Sequence, residues 1–317
     1  MPRLSLIICR YDETHFARCR ESLAETLATD AELVVVDNRD NRHDIFSAYN
    51  EGLRRATGEL LCLMHEDLTF PHVGWDARAV AHFDADPGLG MIGVAGARSL
   101  HVLPRSWKHT YYPEDYAQAL TEHDGRDGVF GLDPDGRRQV LLLDGLWMCV
   151  RRSLVEAHGL RFDERHYSGF HRYDYDFSMQ VVQHARIAVV GDILPLHYSL
   201  GHRTRAWLAA AADFQRKWNG FLPCAVREGE AGLRPLSWSR ADYLAVVRFA
   251  LNMRKLGFRR GEIDDLLDVT LGARSRKPYE LRLADCYVQA RGWGAVRPAA
   301  VDQAPAPGTP APENQAP

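Results

Sequence analysis

The chain has 317 residues, of which 46% are apolar and 26% charged, an ordinary balance for a soluble globular protein. Its 39 Lys and Arg against 42 Asp and Glu leave a formal net charge of −3, which is no electrostatic footprint for nucleic acid. No apolar run approaches the roughly 18–20 residues needed to cross a bilayer. The opening residues lack a signal-peptide pattern, and the six scattered cysteines contain no CxxC pair; together these point to the cytoplasm and away from a zinc site or disulfide framework.

The first half alternates two periodicities. Leu4–Cys9 is a short apolar run and predicts a buried strand. Helical spacing follows over Glu13–Ala28, carried by Phe16, Cys19, Leu23 and Leu27. The β-branched run Leu33–Asp37 predicts a second strand, Asp44–Ala56 a helix with Asp44 as its cap, and Leu60–Met64 a third strand. Trp75–Phe83 is helical and Met91–Ala95 is a fourth strand. This β-α-β-α-β-α-β order predicts an α/β fold with an open, mostly parallel sheet and helices on both faces. In such sheets ligands bind beyond the carboxyl ends of the strands, where Asp12, Asp37 and Asp67 fall.

Pro104–Asp135 is rich in Gly, Pro, His and Asp and reads as a long loop region. Strands are expected at Val140–Asp144, Leu146–Val150 and Ile187–Val190, and helices at Arg151–His158, Asp174–Ala185 and Arg205–Trp218. Beyond Pro235, segments near 240–256, 261–270 and 277–290 are amphipathic and helical, a small appendage on the α/β core. The Pro/Ala-rich end, from about Ala299, has no apolar periodicity and reads as a disordered tail.

Gly88-Leu89-Gly90-Met91-Ile92-Gly93 matches GxGxxG literally, but it follows a helix end and opens a strand, the reverse of a dinucleotide loop. The pairs Asp84/Asp86 and Asp133/Asp135 have turn composition. Three features then carry chemistry. Asp37-Asn38, just past a buried strand, is placed either to accept hydrogen bonds from a base or ribose or to cap the next segment. His65-Glu66-Asp67 follows Leu60–Met64 and brings a hard carboxylate and an imidazole to the ligand edge, where a divalent cation or plain solvent would meet them. Asp174 and Asp176 open a helix inside a segment dense in His, Tyr and Arg, with His197 after the next strand; N-capping is the simpler role for either carboxylate. Trp75, Trp107, Trp147 and Tyr111 are candidates for an aromatic wall on which a ligand stacks or for the core.

The order of these blocks carries a resemblance. Leu6-Ile7-Ile8-Cys9 with Tyr11-Asp12-Glu13, Val34-Val35-Val36-Asp37-Asn38, and Tyr49-Asn50-Glu51-Gly52 running into Leu63-Met64-His65-Glu66-Asp67 come first. Asp144-Gly145-Leu146-Trp147, Arg161-Phe162-Asp163-Glu164, Gly169 to Asp176, and Leu196-His197-Tyr198-Ser199 come after them. Over its first 220 or so residues the chain resembles family-two glycosyltransferases of the GT-A fold, in the branch similar to the streptomycin-biosynthesis StrF-like enzymes. The resemblance implies a GT-A domain at 1–220; the helical region at 221–296 and the tail at 297–317 lie outside it. It implies sugar transfer from a nucleotide-diphosphate sugar to a carbohydrate or other hydroxyl acceptor, with inversion and with Mn²⁺ or Mg²⁺. By position, Asp174 is the implied base, with Tyr173 where the family's Glu usually stands. Asp67, His65 and His197 are the implied metal ligands, His65 replacing the first Asp of the family's DxD. Asp12, Asp37, Asn38, Asn50, Asp67 and Arg203 would bind the nucleotide sugar, and Trp147, His171 and Asp176 would face the acceptor. His202, Arg203 and Arg205, after His197, would either close over the phosphates or form a solvated basic turn. A catalytically silent sugar-nucleotide binding module and a nucleotidyltransferase on the same fold are the alternatives. The C-terminal helices offer a surface for homo-oligomerisation.

Overall fold

The computed structural model describes residues 2–272 apart from 105, 107, 109, 112–114, 122, 124, 134 and 199–203. Trp107, His202, Arg203, the expected helix at 277–290 and the expected tail lie outside the described residues. The three early apolar runs become β1 (Leu4–Arg10), β2 (Ala31–Asp37) and β3 (Leu60–Met64), with β1 hydrogen-bonded in parallel to both others. Parallel neighbours need crossovers. These are α1 (Glu13–Thr26), capped by Asp12 accepting from the His15 N–H, and α2 (Ile45–Arg55), capped by Asp44 accepting from the Ser47 N–H.

After β4 (Leu68–Thr69) and α3 (Trp75–Ala85), the sheet continues with β5 (Leu89–Gly93), two residues earlier than the strand expected at Met91–Ala95. β6 (Ala95–Ala97) and β7 (Ser99–Leu100) then leave it for two smaller sheets. The segment 104–135, expected as loop, instead contains a hairpin of β8 (Tyr116–Thr121) and β9 (Asp127–Phe130). In β8 the buried residues alternate as Ala117, Ala119 and Thr121. Such small side chains give a weak apolar signal beside the local Gly and Asp content. β10 (Arg137–Val140), β11 (Leu142–Leu143) and β12 (Trp147–Arg151) come next, then α4 (Arg152–His158), α5 (Tyr173–Val181), β13 (Arg186–Val190) and β14 (Leu196–His197).

The main sheet has the order β10-β13-β5-β12-β3-β1-β2, with β12 antiparallel to both β3 and β5 and β10 antiparallel to β13. This is the open, mostly parallel α/β architecture that the alternation predicts. Successive side chains point to opposite faces. Leu6 and Ile8 therefore pack with Phe16, Leu23, Trp75 and Phe83, while Ile7 packs with Phe46, Tyr49, Phe162 and Phe177 across the sheet.

After α6 (Arg205–Trp218), β15 (Cys224–Val226) pairs with β7 and with β16 (Leu233–Pro235). Residues up to Pro235 thus extend the α/β body, and the appendage begins later, with α7 (Arg240–Lys255) and α8 (Arg260–Leu271). Val246, Phe249, Ile263 and Leu266 join Leu208 and Ala211 of α6 in a third core cluster. Buried Asp242 anchors α7 by accepting from the Tyr111 hydroxyl at 2.6 Å and the Val102 N–H at 3.2 Å. No described helix is long and apolar enough to cross a membrane.

Candidate active site

Met64 at the end of β3 faces Trp147 at the start of β12, so the residues after β3 and those before β12 share one rim of the sheet. The His65 N–H donates to the Leu146 carbonyl at 3.0 Å and closes that rim. Directly after β3, Glu66 accepts from the Tyr11 and Asp12 N–H groups at 2.8 and 2.9 Å, tying the β1–α1 turn to the same place. Antiparallel pairing of β4 with β14 sets His197 opposite Leu68, and so beside Asp67. Two residues 130 apart in sequence therefore become neighbours through a two-residue strand pair.

His197 Nε2 lies 3.3 Å from Asp67 Oδ2, and His65 Nδ1 lies 3.8 Å from Asp67 Oδ1. One ligand atom from each of the three lies within 4.8 Å of the others. Two imidazole nitrogens and one carboxylate oxygen suit a divalent transition ion of the Mn²⁺ class, with positions left for substrate oxygens. Burial pulls the His65 pKa down, so its lone pair is available at neutral pH. For His197, burial acts downward but the hydrogen bond and charge of Asp67 outweigh it and raise the pKa. His65 and Asp67 line a cleft of about 610 Å³ together with Tyr11, His15, Tyr49, Glu66, Tyr173 and the 47% exposed Phe170, and His197 reaches it through Asp67.

Asp174 sits in the first turn of α5, one residue from the cleft-lining Tyr173. Its Oδ2 accepts from the Gly145 N–H at 3.0 Å and its Oδ1 from the Tyr175 N–H at 2.9 Å. Burial, reinforced by the Asp144 charge, pushes its pKa up to about 7. A carboxylate poised there can take a proton near neutral pH.

The structure brings Asp67, His65 and His197 together, and Asp174 follows Tyr173, whose hydroxyl meets His65. Other expected site residues are engaged by partners within the protein. Asp37 forms a two-pronged pair with Arg39, at 2.6 and 2.9 Å, which holds its carboxyl well below the usual range; it is one strand over from the cleft lining. Asp12 is the α1 cap. Asn38 is fully buried and spends its amide on the His43 backbone. Asn50 is spent on the Phe162 carbonyl, the Phe162 N–H and the Glu164 carboxylate, clamping α2 to the 161–164 turn. Trp147, expected at the acceptor side, is 0% exposed and packs edge-on against Trp75, so both are core. Tyr111 binds Asp242 instead of a sugar. Asp176 is 1% exposed and accepts from Trp218 Nε1, Gln180 Nε2 and Lys217 Nζ at 2.8–3.0 Å, so it holds α6 to α5. His171 is half-buried, and burial followed by the Arg172 charge lowers its pKa.

Sequence reasoning missed Glu66, Tyr173 and Asp144 as site residues. Glu66 lies inside the tripeptide already singled out, and Asp144 and Tyr173 lie in blocks that carried the resemblance. Their roles are spatial, which spacing alone does not disclose.

A family model described as a glycosyltransferase-like family matches residues 5–217. The chain belongs to this glycosyltransferase-like family. No curated protein sequence matches it. Solved structures similar to this family member include GalNAc-T7 with UDP, GalNAc and Mn²⁺, at 11% identity and a TM-score of 0.49 over 92% of this chain. The chain spans only 58% of that enzyme. The mannosyltransferase PcManGT from Pyrobaculum calidifontis, in complex with GDP-Man and Mn²⁺, is 15% identical with a TM-score of 0.45 over 94% of this chain and 77% of its own. TarS 1-349 from S. aureus, in complex with UDP-GlcNAc, is 15% identical with a TM-score of 0.44 over 86% and 74%.

Proposed function

We propose that this glycosyltransferase-like protein is an inverting, StrF-like enzyme of family two that moves a sugar from a nucleotide-diphosphate sugar to an acceptor hydroxyl. The observation that carries the proposal is the convergence of His65, Asp67 and His197, the first two lining the same cleft as Tyr173, the residue before Asp174. A divalent ion held by those three residues, Mn²⁺ or Mg²⁺, would offset the charge gained by the leaving diphosphate. Asp174 accepts the proton of the acceptor hydroxyl as that oxygen attacks the anomeric carbon. The Gly145 and Tyr175 N–H groups hold its carboxylate in one orientation while the proton moves. A single base opposite the departing diphosphate gives inversion. Tyr11 and Phe170, both exposed at the cleft, offer aromatic faces for the donor. The buried free thiols, among them Cys62 and Cys149 facing each other across β3 and β12, support a reducing cytoplasm.

The test is a thermal-shift panel of UDP-, dTDP- and GDP-sugars with Mn²⁺ and Mg²⁺ on the wild type and Asp67→Ala. A ligand at about 100 times its Kd adds roughly 2.7 kcal/mol to a site present only in the folded state. At least one donor should raise the melting point in an ion-dependent way that Asp67→Ala abolishes. Donor hydrolysis without acceptor then separates an enzyme from a silent binding module. A panel with no ion-dependent shift would overturn the proposal.

A further inference from the structure

The Tyr173 hydroxyl lies 2.6 Å from Nε2 of His65. That contact occupies one ring nitrogen and leaves the other, Nδ1, toward Asp67. The tyrosine has little freedom to turn away. It is buried, with Phe46 and Tyr49 edge-on at centroid distances of 6.4 and 5.4 Å and Phe162 tilted at 6.1 Å. Gly145 passes so close that a Cβ there would collide with the Tyr173 hydroxyl.

A neutral imidazole carries one proton, so the hydrogen bond at one nitrogen decides the state of the other. A cation at the triad needs the lone pair on His65 Nδ1. The proton must then sit on Nε2, and the tyrosine oxygen must accept it. Resting on the assignment of the triad as a cation site, we propose that Tyr173 is its positioning residue: it accepts the His65 Nε2–H and fixes the tautomer whose bare Nδ1 faces Asp67. Such partners behind a metal-binding histidine set both ring orientation and basicity. Because the next residue is Asp174, the same helical turn ties the cation side of the cleft to the base.

The experiment uses the full chain labelled with ¹⁵N-histidine, free of metal, with the His65 signals identified by their loss in His65→Gln. Long-range ¹H–¹⁵N correlation should show His65 protonated at Nε2 and bare at Nδ1, a reading that needs no variant at the tyrosine. Tyr173→Phe should lose that single tautomer and weaken calorimetric Mn²⁺ binding by about 10- to 100-fold. A wild-type His65 protonated at Nδ1, or a Tyr173→Phe protein with either tautomer or Mn²⁺ affinity unchanged, overturns the inference. If the wild type binds Mn²⁺, Asp67→Ala does not, and Tyr173→Phe matches the wild type, only the role of Tyr173 falls. If the wild type binds no Mn²⁺, the cation site falls with it, and the donor panel still reports separately on sugar-nucleotide binding.

Discussion

Asp174→Asn separates the chemistry of the carboxylate from its shape. The two side chains are nearly isosteric, but Asp174 accepts two backbone N–H groups, from Gly145 and Tyr175. An amide can accept only one of them and turns an NH₂ toward the other, at about 1–3 kcal/mol, independent of pH. The charge acts in the opposite direction. With burial first and Asp144 second, the folded carboxyl has its pKa raised from 3.8 to about 7. A raised acid keeps its proton in the folded state over that window, so the wild type is most stable below about 3.8 and loses stability as pH rises through 7. At ~1.4 kcal/mol per pKa unit, the loss between pH 5 and pH 8 is roughly 3 kcal/mol. The variant has no such term. Urea unfolding without divalent ions should show Asp174→Asn less stable than the wild type at pH 5 and level with it or above it at pH 8. Sugar transfer should fall about 10²–10⁴-fold while donor binding persists. Stability curves that run parallel from pH 5 to 8, or turnover above about a tenth of wild type, would refute the reasoning.

Two further variants test the reassigned residues. Asp176→Asn removes one of the two carboxylates on half-buried Lys217, Asp163 remaining at 2.6 Å, and weakens the acceptor for Trp218 Nε1; it should cost about 1–3 kcal/mol in urea unfolding; a cost below about 0.5 kcal/mol means that α5 and α6 are held by other contacts. Asn50→Ala leaves the Phe162 carbonyl and N–H without their partner and should destabilise by at least about 1–3 kcal/mol with donor affinity by calorimetry unchanged. Lost donor affinity with stability intact would return Asn50 to the nucleotide site.

The sequence by itself determined the parts that local physics controls. Apolar runs such as Leu60–Met64 are strands because their length and alternation with helices leave few other ways to bury them, and Asp44 caps a helix because its oxygen meets a free N–H group. It also marked the polar residues that come directly after strands, and so the rim where a site could form. Only the tertiary structure decided which of those residues meet. His197 reaches Asp67 only through the β4–β14 pairing, an event invisible to local spacing. Asp174 and Asp176 lie two positions apart on one helix, about 200° around its axis. One accepts from the Gly145 and Tyr175 N–H groups, while the other enters the core to meet Lys217 and Trp218. Trp147 reads in the sequence as either a sugar platform or a core residue, and space decides for the core, because the neighbours that enclose it come from segments far along the chain. Side-chain type sets what a residue can do, but burial and partners decide what it does, and both are properties of the folded chain.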